Sequence, residues 1–204
     1  MSAKGRKRAD GSRTEVAEHE FYPTPRPAVD ALIVSRVVKL PGGAWIDPCA
    51  GDGAIPEAVN ARRADVTWDL VEIDEAHAAT LHSLMRRGWI SSVTIADFLV
   101  SPPPRESFDV AIMNPPFSLS LAFVVACRRV AATTVMLQRL NWLGPARAEW
   151  LRGNHPDVYP LPKRPSFTGD GKTDASEYAW FVWDDRKRAR RRRIGRVAML
   201  GGAA

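Results

Sequence analysis

Cysteine is nearly missing: Cys49 and Cys127 are the only two in 204 residues, far apart and outside any CxxC or Cys/His spacing. That excludes a disulfide-stapled scaffold and a zinc module of the usual spacing. Histidine is almost as sparse, with four residues. His77 and His82 are five apart on a predicted helix, a spacing that turns them to different sides of the axis, and His19 is read as a bystander. No metal is expected. No apolar run approaches the roughly 18 residues needed to span a bilayer, and residues 1–13 are basic and polar without the apolar centre of a secretory signal. The expectation is a cytoplasmic protein in a reducing compartment, without membrane contact. Internal repeats are missing too, and low complexity is confined to one arginine run.

What is present suits a single domain with a sizeable core: 45% hydrophobic and 25% charged residues in a chain of this length. A monomer is the default. The formal charge of +6 is unevenly placed. Residues 186–196 hold eight Lys/Arg and no acid, and residues 1–13 carry +4, which leaves residues 14–185 at −6. The chain therefore divides into a basic arm at 1–18, a central domain at 19–185 and a basic tail at 186–204. Arg190-Arg191-Arg192-Arg193 is the kind of segment that neutralises phosphates and releases counterions, although such a run can equally be a solvated tail.

Apolar periodicity alternates between helix and strand. Helical spacing covers residues 27–40, 54–63, 75–87, 119–130 and 145–152; strands are read at 44–46, 66–71, 93–96, 108–113, 133–138 and 178–183, with 156–171 as loop. Alternation of this kind predicts an α/β fold, a doubly wound, mostly parallel sheet with ligands at the carboxyl ends of its strands. Two motifs sit at such ends.

The first is Asp47-Pro48-Cys49-Ala50-Gly51-Asp52-Gly53. Gly51 and Gly53 let the backbone turn tightly and approach a ligand, but their spacing departs from the GxGxxG of dinucleotide sites. Glu72 ends the next strand 25 positions after Asp47, near the offset at which an acid accepts hydrogen bonds from ribose hydroxyls. Asp47, Gly51, Gly53 and Glu72 thus form a nucleoside-binding set. The second motif, Asn114-Pro115-Pro116-Phe117, follows the strand at 108–113 and lies 67 positions after Asp47.

In this order the two motifs resemble those of class I S-adenosylmethionine-dependent methyltransferases acting on adenine N6. Phe21-Tyr22-Pro23-Thr24-Pro25 is similar to the segment that precedes the first strand in many adenine methyltransferases and packs on the methionine part of the cofactor. The resemblance implies a Rossmann-like methyltransferase fold with S-adenosyl-L-methionine as cofactor. It implies that Tyr22, Pro23, Thr24, Asp47, Pro48 and Gly51 line the methionine end, that Glu72 holds the ribose and that Ile73 packs on the cofactor's adenine. Asp97 and Phe98 match the acid and aromatic that meet that ring. Arg164-Pro165-Ser166-Phe167-Thr168-Gly169 and Tyr178-Ala179-Trp180-Phe181-Val182-Trp183 resemble the closing segments of small phage-type DNA adenine methyltransferases.

The chemistry explains the second motif. The lone pair of an exocyclic adenine amine is delocalised into the ring and attacks a sulfonium methyl poorly. The Asn114 side-chain carbonyl and the Pro115 main-chain carbonyl can accept its two N–H bonds and favour a pyramidal nitrogen. Pro115 and Pro116 fix φ and restrain the preceding residues, so those acceptors are held in advance. Phe117 offers a stacking face for a base flipped out of its duplex, and Phe167 either a second face or packing for its own loop. The expected activity is methylation of adenine N6 in DNA. RNA adenine is the nearest alternative, and a non-catalytic nucleic-acid-binding module that keeps the fold is the alternative from another class. Residues 139–177 leave fewer than forty positions for reading sequence, which predicts a short or relaxed recognition site. Trp45 and Trp68 read as core; Trp142 and Trp150 fit either core or a substrate groove.

Overall fold

The computed structural model describes residues 22–35, 37–167, 173, 175–188 and 195–200. The expected basic arm at 1–18, His19, Phe21, Thr168, Gly169 and Arg190 to Arg193 lie outside the described residues.

The first helix, α1 (Arg26–Val34), is shorter than its apolar pattern. Pro25 precedes it in extended geometry and Arg26-Pro27 opens it, a position where the missing proline N–H has no helical partner to lose. The pattern continues through Val37 and Val38, yet the helix has ended, and Val37 is left exposed. Strand β1 (Gly43–Asp47) follows, then α2 (Ala54–Asn60), β2 (Val66–Glu72), α3 (Ala78–Met85) and β3 (Ile90–Ile95). The chain crosses back through β4 (Phe108–Met113), α4 (Ser120–Val130) and β5 (Ala131–Arg139). It closes with α5 (Ala148–Gly153), β6 (Asp157–Pro160), β7 (Tyr178–Asp184) and the single turn α6 (Asp185–Arg188).

The seven strands form one sheet in the order β3-β2-β1-β4-β5-β7-β6. The pairs from β3 to β5 are parallel, and β7 runs antiparallel between β5 and β6. Both faces are covered, as a parallel sheet requires. Trp45, Trp68, Ile112, Leu137 and Trp180 turn to one side and meet Val29 and Leu32 of α1, Val59 of α2 and Leu81 of α3. Ile46, Ala111, Met113, Met136 and Phe181 turn to the other, against Phe123, Val124 and Cys127 of α4. The two sets alternate along each strand, the period-2 pattern of a pleated sheet.

Three sequence expectations are corrected or resolved. Residues 156–171 are not wholly loop: β6 pairs with β7 over Asp157↔Val182 to Pro160↔Ala179. Residues 195–200, within the expected basic tail, pack against the body: Val158 N donates to Arg196 O (2.7 Å), Ala198 N to Val158 O (3.1 Å), and Leu200 is buried. Trp142 belongs to the core, where its Nε1 donates to Ser120 Oγ (2.8 Å) and its ring meets Trp150 edge-on.

The order β3-β2-β1 then β4-β5 places the reversal of direction between β1 and β4. Ligands of doubly wound sheets bind in the crevice that opens there. The register Ile46↔Ala111 sets Asp47 beside Ile112, so the ends of β1 and β4 bring Asp47 and Asn114 to the same crevice.

Candidate active site

A cavity of about 840 Å³ opens over the carboxyl ends of β1, β2 and β4. Tyr22, Pro23, Thr24, Asp47, Pro48, Gly51, Glu72, Ile73, Asp97, Phe98, Asn114 and Pro116 all line it. Gly53, Pro115 and Phe117 are not in its wall. Gly53 begins α2 with φ +85°, and a Cβ there would lie 2.4 Å from Leu84 Cδ1; the missing side chain lets α3 pack against the turn. Phe117 instead packs among the rings described below.

Glu72 organises the floor. Its Oε2 accepts from Gly51 N (2.7 Å) and its Oε1 from Ile73 N and Asp74 N (both 2.9 Å). One carboxylate thus ties the glycine turn after β1 to the end of β2. A carboxylate offers roughly four acceptor sites, so one remains for a ligand hydroxyl. Asp97 fixes its own loop in the same way, Oδ1 accepting from Leu99 N at 2.8 Å.

Asp47 is 1% exposed, and its Oδ1 accepts from Cys49 N at 3.2 Å. Burial pushes its carboxyl up to about 8, with the charges of Glu72 and Asp52 adding to the shift. The Cys49 thiol is pushed up as well, by burial and then by Asp47 and Glu72, with the Asn114 backbone opposing the shift. Cys49 is therefore an inert thiol in the cavity wall, which it shares with Asn114 of the second motif.

The charge of the cavity is one-sided. Asp47, Asp52, Glu72, Asp74, Glu75 and Asp97 line it, with His77 and no Lys or Arg. Such a wall repels phosphate and suits a cationic ligand. Among the described residues no group of three His, Cys, Asp or Glu is placed to hold a metal ion, and no helix is long and apolar enough to cross a membrane.

Beyond Asn114 the character changes to aromatic and basic. Asn114 Nδ2 donates to the Tyr22 carbonyl at 3.1 Å, which leaves the Asn114 Oδ1 as the outward acceptor. The Tyr22 ring lies near-parallel to Phe117, with centroids 6.0 Å apart, and edge-on to Phe167 at 5.9 Å. Tyr178 meets Phe117 at 6.4 Å and Phe167 at 5.0 Å. Phe167 thus joins this cluster rather than packing only within its own loop. The Arg139 guanidinium lies over the Phe117 ring, 4.4 Å from its centroid. Sequence reasoning missed Cys49, Arg139 and Tyr178 as site residues. Tyr178 opens the aromatic run at 178–183, whereas nothing near Arg139 signals a role.

Comparison with solved structures agrees with this architecture. Over 81% of this chain and 86% of the other, it superposes on a candidate RNA methyltransferase from Pyrococcus horikoshii with a TM-score of 0.63 at 18% identity. The chain has the Rossmann-like fold of methyltransferases. A candidate class I S-adenosylmethionine-dependent methyltransferase from Listeria monocytogenes shares that fold, with a TM-score of 0.63 at 14% identity over 87% of this chain and 65% of the other. The 23S rRNA methyltransferase ErmE matches at 0.56 and 17% identity, over 79% and 68%. No protein-family model and no curated protein matches the chain by sequence.

Proposed function

We propose that the protein transfers a methyl group from S-adenosyl-L-methionine to the N6 amino group of adenine in DNA. The observation that carries this reading is the position of Asn114. Its amide nitrogen is tied to Tyr22, its oxygen is left as an acceptor, and it lines an acidic cavity beside the aromatic cluster that Tyr22 forms with Phe117.

The cavity fits the cofactor in size and in charge. Its acidic wall disfavours the phosphates of a dinucleotide, and its carboxyl side chains complement a ligand that is cationic at sulfur and at its amino group. Glu72 and Asp97 would hold its hydroxyl and amino groups, Asp47 and the Tyr22-Pro23-Thr24 segment its amino-acid end, and the half-exposed Ile73 would cover its ring. When bound, the cofactor supplies a methyl on a positively charged sulfur, a leaving group that departs as a neutral thioether.

The chain's own residues would then prepare the nucleophile. The Asn114 Oδ1 and the Pro115 carbonyl would accept the two N–H bonds of the target amine and turn its lone pair out of conjugation, and the nitrogen, made cationic by the methyl, then gives up one of those protons to water. The prolines hold both acceptors before the base arrives. The rings of Tyr22, Phe117 and Phe167, backed by the buried Tyr178, supply stacking for a flipped base, worth about 1–3 kcal/mol in single-strand cases. The span 139–177, read as fewer than forty positions for sequence readout, gives part of its length to Trp142, Trp150 and β6, which supports a short or relaxed recognition site.

The fold neighbours include RNA methyltransferases, which favours RNA adenine as the second reading. Transfer of labelled methyl to matched DNA and RNA, followed by nucleoside mass spectrometry, tests both. N6-methyldeoxyadenosine that disappears in Asn114→Ala, with cofactor affinity kept within about threefold, supports the proposal. N6-methyladenosine from RNA alone promotes the second reading, and no methylated adenine from either overturns both.

A further inference from the structure

Arg139 is the last residue of β5 and pairs with Tyr178 at the start of β7. That register aims its side chain across the aromatic cluster: Nε donates to Tyr178 Oη (3.1 Å) and the guanidinium carbon lies 4.4 Å from the Phe117 centroid and 5.9 Å from that of Tyr178. Stacked rings settle at centroid separations of about 4.5–7 Å. The guanidinium therefore fills the place over Phe117 that a stacked base would take.

We propose that Arg139 confines the site to adenines carried on a phosphate backbone: it caps the Phe117 face in the free protein and is drawn away by the phosphates that flank a flipped base. The proposal rests on the adenine-methylation reading. A free nucleoside brings only its ring and must displace a cation that already holds the aromatic face and a phenol. A nucleotide within a polymer also brings phosphates, and a guanidinium forms paired hydrogen bonds with phosphate oxygens that offset the ring face it leaves. Arg139 sits at the carboxyl end of β5, next to the β4 end that carries Asn114, so a short swing exchanges one partner for the other. Specificity for the polymer then comes from one side chain rather than from a recognition domain.

The two substrates should respond to its removal in opposite directions, which separates this role from a structural one. In Arg139→Met, which keeps an apolar stem over Phe117, KM for deoxyadenosine should fall about tenfold and KM for the polynucleotide that the wild type methylates should rise about tenfold. The kcat on the polynucleotide should change less than its KM. Arg139→Gln provides the same comparison if the methionine variant melts below the assay temperature. An unchanged ratio between the two substrates, or a parallel loss on both, overturns the proposal while leaving adenine methylation in place. A wild type that methylates no adenine in any form removes the underlying reading and this inference with it.

Discussion

With Asp47 at the cofactor's amino-acid end, as proposed above, cofactor binding becomes a proton-linked event whose size follows from the burial of this carboxyl. Its carboxyl, pushed up to about 8, is about nine-tenths protonated at pH 7 in the cofactor-free protein. A cationic amino-acid group placed beside it favours the ionised form, so binding expels the proton. Affinity should then rise about tenfold per pH unit from 6 towards 8 and level off by about 9, each factor of ten being about 1.4 kcal/mol. Titration calorimetry in buffers of different ionisation enthalpy should count about 0.9 proton released at pH 7. Glu72 and Asp52 raise the Asp47 carboxyl and Cys49 donates a backbone hydrogen bond to it, while His77 also lines the cavity, so His77→Gln is the control. In Asp47→Asn the proton release should vanish and the pH profile flatten. Stability obeys the same linkage. The folded value near 8 lies above the ordinary 3.8, so this group's contribution to the cofactor-free fold is full below about pH 3.8 and is lost as the pH rises through about 8. Asp47→Asn should therefore raise the melting temperature more at pH 8.5 than at pH 6. Fewer than about 0.2 protons released by the wild type at pH 7 would refute the reasoning.

Other consequences are more local. Gly53→Ala combines a left-handed φ of +85° with a Cβ 2.4 Å from Leu84 Cδ1, and should destabilise by about 1–3 kcal/mol, read as a fall of several degrees in the melting temperature. A melting point unchanged within a degree would mean that the turn and α3 relax freely. Leu200→Ala removes a buried side chain that docks the last described segment, and should lower the urea midpoint by an amount equal to about 1–3 kcal/mol; no change would show that residues 195–200 add nothing to the fold. Neutralising Arg190, Arg191, Arg192 and Arg193 to Gln tests the basic run without undocking Leu200. If the run binds nucleic acid, the salt slope of binding should fall by about 0.9 for each phosphate that is no longer neutralised; an identical slope would leave it a solubility device.

Much of the fold was legible because local signals agreed with the tertiary outcome. Strands β1, β4 and β5 are largely buried on both faces and show as apolar runs between turn residues, β2 alternates with Thr67 and Asp69 before its apolar end, and the ends of β1 and β4 carry the two motifs. Strand β6 was not legible. Asp157-Val158-Tyr159-Pro160 is too short for a period to show, ends in proline, and exists because β7 on one side and residues 196–198 on the other supply its hydrogen bonds. The excess length read into α1 came from Val37 and Val38, whose spacing continues a pattern that the chain abandons at Ser35. At the site, residues next to a strand end in sequence were found. Arg139 and Tyr178 meet only through the antiparallel register of β5 with β7, and no spacing along the chain encodes that register.

The division of charge gives the arrangement a direction. Six carboxyl side chains line the β1–β2 side of Asn114, with no Lys or Arg among them. On the β5–β7 side, Arg139 lies on Phe117, Arg147 on Trp142, and Lys163 and Arg164 follow the end of β6. Under the proposed function the acidic cavity would repel a phosphate chain and hold a cation, while Arg139, Arg147 and Lys163 would meet the phosphates, Arg164 being paired with Glu177. Methyl transfer needs that separation, because donor and acceptor must meet end to end at one nitrogen without exchanging places. Asn114 lines the acidic cavity and is bonded through its amide to Tyr22, which lines the same cavity and has its ring against Phe117. A loss of activity in Asn114→Ala therefore reports on the chemistry only when cofactor binding is measured in the same variant. The residue that would polarise the amine also joins the two compartments that deliver the reactants.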